Sequence, residues 1–328
     1  MEAFQFSQVN TVNSALEAVR SQTETKFVAG GTTLIDLMKL NVETPKRIVD
    51  INSLPLSQIE STADGGLKIG AMVRNSDLAH DPTVQQRYPV LSEALLSGAS
   101  PQLRNMATTG GNLLQRTRCY YFRDTAYPCN KREPGSGCPA IDGFHRIHAI
   151  LGTSDHCIAT HPSDMAVAMM ALEAVVHIQG ANGERGVPLN DFYLLPGSTP
   201  NRENVLVSGD LITYVILPPV ANGARSHYLK LRDRASYEFA LASAAVVVSL
   251  SGNRIQRARI ALGGVGTKPW RSIEAEHALE GRETNEHTFQ AAAEAALKGA
   301  KPRHDNAFKV ELAKRCLTRA LSNVTQSA

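Results

Sequence analysis

The sequence predicts an α+β protein with two domains, and three features of its pattern support this. From Phe4 to Ile51, short apolar strands alternate with helices around a Gly-Gly turn. The C-terminal part instead shows three strands followed by three helices. Pro218-Pro219 and an Ala-Asn-Gly turn make the clearest break between these patterns. The predicted domains are 1–220, with subdomains 1–55 and 56–220, and 224–328.

The C-terminal domain is expected to be an antiparallel three-stranded sheet with a three-helix layer on one face. Its strands are apolar segments predicted at 226–232, 240–250 and 254–265. Its helices have helical spacing of apolar residues and are predicted at 271–279, 287–297 and 307–321. Cys316 falls on the apolar face of the last helix, where a thiol is expected to be buried.

Composition excludes several functions. The chain has 328 residues, of which 43% are hydrophobic, which is enough for ordinary domain cores. A formal net charge of +3 is too small to indicate a nucleic-acid partner. No apolar run reaches membrane-spanning length, so we expect no membrane span. The N-terminus lacks the basic-then-apolar layout of a secretion signal, so we expect no export signal in this chain.

The first candidate binding loop follows a short apolar strand and leads into a helix. A strand that ends in glycines before a helix N-terminus is suited to anions, because glycine lets the backbone approach a ligand closely. The pattern is neither G-x-G-x-x-G nor G-x-x-x-x-G-K-[ST], so it supports neither a Rossmann nor a P-loop site. The candidate residues are Lys26, Phe27, Val28, Ala29, Gly30, Gly31, Thr32, Thr33 and Leu34.

A second glycine pair lies further along the chain, in Ala107-Thr108-Thr109-Gly110-Gly111-Asn112. Its hydroxyl and amide groups suit phosphate or ribityl oxygens, and its paired glycines permit converging N–H groups. Either loop alone is also compatible with an ordinary turn. Two such loops together fit a dinucleotide whose pyrophosphate is held from both sides. The candidate ligands here are Thr108, Thr109, Gly111 and Asn112.

Four of the five cysteines lie in one irregular, Pro- and Gly-rich stretch at about 116–158, namely Cys119, Cys129, Cys138 and Cys157. Four thiols match the donor count of a cubane iron–sulfur cluster or of structural zinc. Their wide, uneven spacing favours a cluster over zinc, which usually takes close C-x-x-C pairs. Disulfides and inert thiols are the other interpretations. Arginine and lysine residues are frequent around the thiols and would offset the negative charge of a thiolate-bound cluster.

Four histidines occur near these cysteines, namely His145, His148, His156 and His161. Because four cysteines complete a cubane, we predict that the histidines are structural or solvent-facing. His156, directly beside Cys157, is the one exception that merits a test as a ligand.

The two glycine loops, together with His161-Pro162-Ser163-Asp164, Tyr228-Leu229-Lys230-Leu231-Arg232 and Gly263-Gly264-Val265, resemble the medium, flavin-binding subunit of molybdenum hydroxylases. This is the xanthine dehydrogenase and carbon monoxide dehydrogenase family, and the resemblance covers nearly the whole chain. It implies FAD and the two-subdomain fold of the vanillyl-alcohol-oxidase/PCMH type, followed by the family's C-terminal flavoprotein domain. It also implies flavin contacts for Asp164 and Lys230. Tyr237 and Phe239 could pack near the flavin ring, although a place in the core is the simpler expectation.

The cysteine-rich insert resembles a subgroup that contains the FAD-binding subunits of periplasmic aldehyde oxidoreductases and, more distantly, of 4-hydroxybenzoyl-CoA reductases. That resemblance implies a 4Fe-4S cluster on the four cysteines. It further implies a heterotrimer with a molybdopterin-binding large subunit and a 2Fe-2S small subunit. Substrate chemistry would then occur on the large subunit, and this chain would have no catalytic acid, base or nucleophile. The expected location is the periplasm, by export together with a signal-bearing partner, or otherwise the cytoplasm.

Two functions of other classes stay open at this point. One is a zinc-stapled scaffold or interaction subunit that uses the same fold. The other is a stand-alone flavin oxidoreductase, which would need a proton donor near the flavin.

Overall fold

The computed structural model describes residues 1–20 and 24–326. These residues form three separate sheets of three, five and four strands, with helices between them. The last two residues of the predicted C-terminal domain lie outside the described part of the chain. Helices and strands occur together, with an antiparallel sheet at the C-terminal end, so the α+β prediction is confirmed.

The N-terminal sheet is parallel and has the order β1-β3-β2. Its central strand places Ile48 and Val49 in the core, where both are at most 1% exposed. Because the strands are parallel, the loop after β2 emerges at the same edge as the end of β3. This loop carries the first glycine pair. The elements are β1 (Gln5–Gln8), α1 (Val12–Arg20), β2 (Thr25–Val28), α2 (Leu34–Lys39) and β3 (Arg47–Asp50).

The second sheet is antiparallel and has the order β4-β5-β8-β6-β7. Buried and partly exposed residues alternate along β6, so one face of this strand packs on the core. The strands are β4 (Ile59–Ser61), β5 (Leu67–Gly70), β6 (Val175–Gly180), β7 (Gly183–Pro188) and β8 (Leu211–Leu217). The helices of this region are α3 (Asn75–His80), α4 (Pro82–Arg87), α5 (Pro89–Ser97), α6 (Pro101–Met106), α7 (Thr109–Leu113), α8 (Tyr120–Arg123), α9 (Asp164–Ala171) and α10 (Leu189–Phe192).

Helix α9 is the centre of the largest core. Met165, Met169 and Met170 are each at most 2% exposed and pack within it. The helix is capped by Ser163, whose hydroxyl accepts a hydrogen bond from the N–H of Ala166 at 3.0 Å. The carboxylate of Asp164 is thereby free for other partners.

The C-terminal sheet has four strands in the order β12-β11-β10-β9, so the predicted count of three is wrong. The extra strand β12 has only two residues, too few to show a period of two, and it contains the Arg271 that was predicted to begin a helix. The elements are β9 (Arg225–Leu231), β10 (Ala242–Ser251), β11 (Arg254–Gly263), β12 (Trp270–Arg271), α11 (Ile273–Leu279), α12 (Glu286–Ala296) and α13 (Phe308–Gln326). As predicted, Cys316 on α13 is buried.

The cysteine-rich insert is mostly irregular and packs both against α2 and against the core of the C-terminal domain. Its thiols pack with Leu37 of α2, whereas Ile150 and Leu151 pack in the core of the C-terminal domain. The buried ammonium of Lys309 on α13 also donates to the carbonyls of Ile147 and His148. In the part of the chain that the structure describes, none of the helices combines the length and apolarity needed to cross a membrane.

Candidate functional site

The two glycine loops meet at one cleft of about 770 Å³, a size within the usual range for cofactor sites. Ten of the predicted binding residues line it, and Gly110 does so as well. Those ten are Lys26, Phe27, Ala29, Gly30, Gly31, Thr32, Thr33, Leu34, Thr108 and Gly111. The opposite wall comes from Asn201 to Ile212, a stretch in which sequence analysis found no binding motif.

Direct contact between Gly30 and the residue before the second loop holds these loops together. A Cβ atom added to Gly30 would lie 1.9 Å from the carbonyl oxygen of Met106, far inside any real contact. A glycine is therefore required at position 30 by close approach. Gly31 is required for a different reason, because its φ of 71° lies in the left-handed region.

A polar bridge fixes the same junction. The side-chain amide of Asn52 donates to the carbonyl of Ala29 at 2.9 Å. The guanidinium of Arg74 donates to Asn52 Oδ1 at 3.0 Å and to the carbonyl of Met106. Two side chains outside both loops thus connect the backbone of one loop to the backbone before the other.

Within the second loop, side chains mainly shape the backbone. The hydroxyl of Thr108 accepts from the N–H of Gly111 at 3.2 Å and caps α7. Thr109 is buried and donates its backbone N–H to the carbonyl of Val73 at 2.9 Å. The amide oxygen of Asn112 accepts from the hydroxyl of Ser163 at 2.6 Å. Thr109 and Asn112 therefore support the loop and do not line the cleft, and Val28 likewise packs in the core.

Asp164 and Lys230 pair with each other in a buried ion pair. Lys230 Nζ lies 2.8 Å from Asp164 Oδ2, and both side chains are less than 10% exposed. The hydroxyl of Tyr228 donates to Asp164 Oδ1 at 2.6 Å, and burial followed by the Asp164 charge raises the pKa of this tyrosine. This buried group joins α9 to β9, outside the residues that line the cleft.

The four insert cysteines converge on a second, much smaller cavity. Cys119, Cys129 and Cys157 are buried and Cys138 is partly so. Burial raises the pKa of the Cys119 thiol to about 12, and a hydrogen bond with Cys157 lowers the pKa of Cys138. The pKa of Cys157 is raised, first by that hydrogen bond and then by burial. The proximity of these thiols was predicted from the sequence.

The thiol cavity has the donor types of a metal site but little space. Four thiols facing one buried cavity satisfy the donor set of a four-cysteine cluster. The space between them is about 10 Å³, which is room for roughly one water molecule. Among residues 1–20 and 24–326, no group of three or more His, Cys, Asp or Glu side chains is arranged to hold a metal ion. The donor types match a four-cysteine group, and the arrangement of the described residues does not distinguish a cluster from zinc.

His148 contacts a thiol through its ring, and His156 lines the same thiol cavity. The Nε2 atom of His148 lies 3.1 Å from Cys119 Sγ, and burial lowers the pKa of His148 to about 4. Such a neutral imidazole can donate one hydrogen bond to a thiolate. His156 is exposed, and its backbone carbonyl accepts from the side chain of Asn130 at 2.9 Å. The sequence could not single out His148, because it is distant from Cys119 along the chain.

The positive charge predicted around the thiols is largely paired. Arg118 and Arg123 both contact Asp36, at 3.1 and 2.7 Å. Arg116 and Lys131 both contact Glu203, at 2.6 and 2.9 Å. The local excess of positive charge is therefore smaller than the sequence suggests.

Tyr237 and Phe239 are both exposed, so neither belongs to the core. The guanidinium of Arg118 lies 5.0 Å from the ring centroid of Phe239, which places this loop beside the start of the insert.

Two family matches span most of the chain. Residues 2–220 match the FAD binding domain in molybdopterin dehydrogenase, and residues 227–324 match the CO dehydrogenase flavoprotein C-terminal domain. The chain is a member of the FAD-binding medium subunits of molybdenum hydroxylases. The resemblance seen in the sequence is thereby confirmed, and FAD is its cofactor.

Relatives and solved structures agree with this assignment. The chain is 51% identical to the aldehyde oxidoreductase FAD-binding subunit PaoB of Escherichia coli (strain K12), over 100% of both chains. It is 30% identical to the carbon monoxide dehydrogenase medium chain of Hydrogenophaga pseudoflava, over 91% of this chain and 88% of that one. A solved structure of the carbon monoxide dehydrogenase from that organism matches with a TM-score of 0.78 at 28% identity, covering 99% and 97% of the two chains. The protein is thus an oxidoreductase subunit that belongs with large and small partners.

Proposed function

We propose that this chain is the FAD- and 4Fe-4S-containing electron-transfer subunit of a heterotrimeric, molybdenum-dependent aldehyde oxidoreductase. The observation that carries the proposal is the 51% identity over the full length of both chains to a subunit named for an aldehyde oxidoreductase. Relatives named for other substrates are less similar and match less of the chain, such as the nicotine 6-hydroxylase medium subunit at 25% over 91%. Aldehyde oxidation is therefore the favoured activity of the complex.

In this proposal the FAD lies in the large cleft. The backbone around Gly30 and Gly31 faces one side of the pyrophosphate, and Thr108 with Gly111 faces the other. Lys26 and Arg116 line the same cleft, but both pair with Glu43 and Arg116 also pairs with Glu203, so the backbone N–H groups of the two loops are the main proposed donors to the phosphates. Bound flavin would accept electrons singly and release them in pairs to an external acceptor.

The predicted flavin contacts of Asp164 and Lys230 stay predictions. Their buried ion pair lies between a helix of the first domain and a strand of the second, since α9 precedes and β9 follows the proposed boundary near 220–224. We propose that this pair sets the position of one domain against the other at the ring end of the flavin. The proposed domain limits stay 1–220 and 224–328, with α9 in the first domain and β9 in the second.

Cys119, Cys129, Cys138 and Cys157 would hold the 4Fe-4S cluster. His148 would orient the Cys119 thiolate through its hydrogen bond, as outer partners of metal ligands commonly do. Alanine or serine at any of the four positions would remove one of the ligands. The buried thiol of Cys316 lies in another core and provides a matched control.

The partners in this proposal are a molybdopterin-binding large subunit and a 2Fe-2S small subunit. The large subunit would oxidise the aldehyde, and the small subunit would pass electrons to the flavin. Location in the periplasm, by export with a signal-bearing partner, is part of the proposal, and the alternative is the cytoplasm.

The test is cofactor analysis of the purified complex, with Cys138→Ser and Cys316→Ser variants. We expect one FAD and, in addition to the iron of the 2Fe-2S small subunit, about four iron atoms per complex, with aldehyde-dependent reduction of a dye. Cys138→Ser, but not Cys316→Ser, should lose these four iron atoms and keep those of the small subunit. Zinc without flavin would instead indicate the scaffold function. Aldehyde turnover by this chain without its partners would indicate a stand-alone flavin enzyme.

A further inference from the structure

Lys131 lines both candidate cofactor sites, the large cleft and the small cavity formed by the four cysteines. Its positive charge lowers the pKa of Cys157, although the net pKa of that thiol is raised, first by the hydrogen bond with Cys138 and then by burial. Lys131 follows Cys129 by two residues, so the loop that carries the Cys129 thiol also carries this ammonium group. Its side chain is only 11% exposed, so its charge is weakly screened by solvent.

Glu203 holds Lys131 in this place. Lys131 Nζ donates to Glu203 Oε1 at 2.9 Å and to the carbonyl of Pro200 at 3.1 Å. Glu203 also accepts from Arg116 Nε at 2.6 Å, and Arg116 in turn pairs with Glu43. Burial raises the pKa of Glu203, but the charges of Lys131 and Arg116 outweigh it, so the net pKa is lowered and the carboxylate stays ionised.

This charge network connects segments that are distant in sequence. Arg116 lies at the start of the cysteine insert, Lys131 lies within it, and Glu203 belongs to the opposite wall of the large cleft. With Lys26, which lies 3.7 Å from Glu43, the network has three positive and two negative charges. Neutralising Lys131 makes the local charge one unit more negative, and neutralising Glu203 makes it one unit more positive.

We propose that Lys131, positioned by Glu203, is a shared electrostatic control of both redox centres of this subunit. The inference rests on the proposed function, because it requires a cluster on the cysteines and FAD in the cleft. Each reduction adds an electron and makes a centre more negative, so a nearby ammonium group favours the reduced state of both. The carboxylate of Glu203 has the opposite effect on the same two centres.

The proposal predicts opposite shifts for two neutral variants. Lys131→Met retains the aliphatic stem and leaves Glu203 paired with Arg116, so the fold is expected to persist. It should lower the midpoint potentials of flavin and cluster together, with an effect on the order of tenfold in the oxidised-to-reduced ratio at fixed potential. Glu203→Gln should raise both potentials. A purely structural role for these residues would not give opposite signs.

The experiment is a redox titration of the purified complex, following flavin absorbance and the electron paramagnetic resonance of the reduced cluster. Lys298→Met is the matched control, because Lys298 is exposed and lies far along the chain, between α12 and α13. We expect no shift in the control and a return toward wild-type potentials in Lys131→Arg.

The inference is overturned if Lys131→Met shifts only one centre or neither, or if both neutral variants shift the potentials in the same direction. If Glu203→Gln does not fold, the inference is tested by comparing the midpoint potentials of Lys131→Met and Lys131→Arg. Equal potentials in those two variants overturn the inference. If the wild-type complex contains no iron beyond that of the 2Fe-2S small subunit, the cluster in the proposed function is overturned. That result is separate from unchanged potentials in a variant that keeps the four additional iron atoms.

Discussion

The contact between Gly30 and Met106 makes Gly30→Ala a sharp test of the cofactor cleft. The new methyl carbon would lie 1.9 Å from the Met106 carbonyl oxygen, whereas real Cβ contacts essentially never fall below 3.0 Å. The two loops must therefore separate by about 1 Å or more. Met106 cannot move easily, because its carbonyl also accepts a hydrogen bond from Arg74.

Two measurable costs follow from this separation. Overpacking of this kind typically lowers the free energy of unfolding by about 1–3 kcal/mol. If the widened cleft loses one charge-assisted hydrogen bond to the pyrophosphate, FAD binding weakens by about 1.5–3 kcal/mol, or roughly 10- to 100-fold.

The assay is titration of FAD into flavin-free protein, followed by quenching of flavin fluorescence, with a thermal melt of the same sample. Gly223→Ala is the control, since Gly223 has a φ of 76° and open space around it. The control should lose about 1 kcal/mol of stability and no FAD affinity. An FAD affinity for Gly30→Ala within twofold of wild type would refute the placement of the cofactor between the loops.

Two further predictions concern buried charge and pH. Asp164→Asn leaves the Lys230 ammonium, which is 3% exposed, without its carboxylate, and should lower the free energy of unfolding, measured in urea, by about 3–5 kcal/mol. The double variant with Lys230→Met should recover most of that loss. A loss below about 1 kcal/mol in Asp164→Asn would contradict the role of the pair. Burial lowers the pKa of both His161 and His148 from 6.5 to about 4, so the unfolded chain binds more protons in that window, and each histidine should remove roughly 3 kcal/mol of stability as the pH drops from 6.5 to 4. His161→Gln should remove about half of this slope in urea titrations at several pH values, and an unchanged slope would show that His161 does not contribute to it.

Some expectations failed where local pattern carries little information. The short strand β12 pairs only Trp270 and Arg271 with β11, and two residues cannot display a strand period. Ser163 caps α9 and leaves the Asp164 carboxylate to Lys230 and Tyr228, a pairing that the sequence did not predict. The partner of a buried charge depends on which strands and helices pack, which sequence spacing does not report.

The sequence by itself determined the glycine loops, the thiol set, the α+β class and the family. These features depend on residue types at short range, such as glycines that permit close backbone approach and apolar residues at fixed periods. Only the tertiary structure decided that Gly30 packs on Met106, that His148 lies on Cys119, and that Lys131 with Glu203 lies between the two cavities. Each of these contacts joins residues from different segments, and their pairing is set by how the sheets and the insert pack against one another.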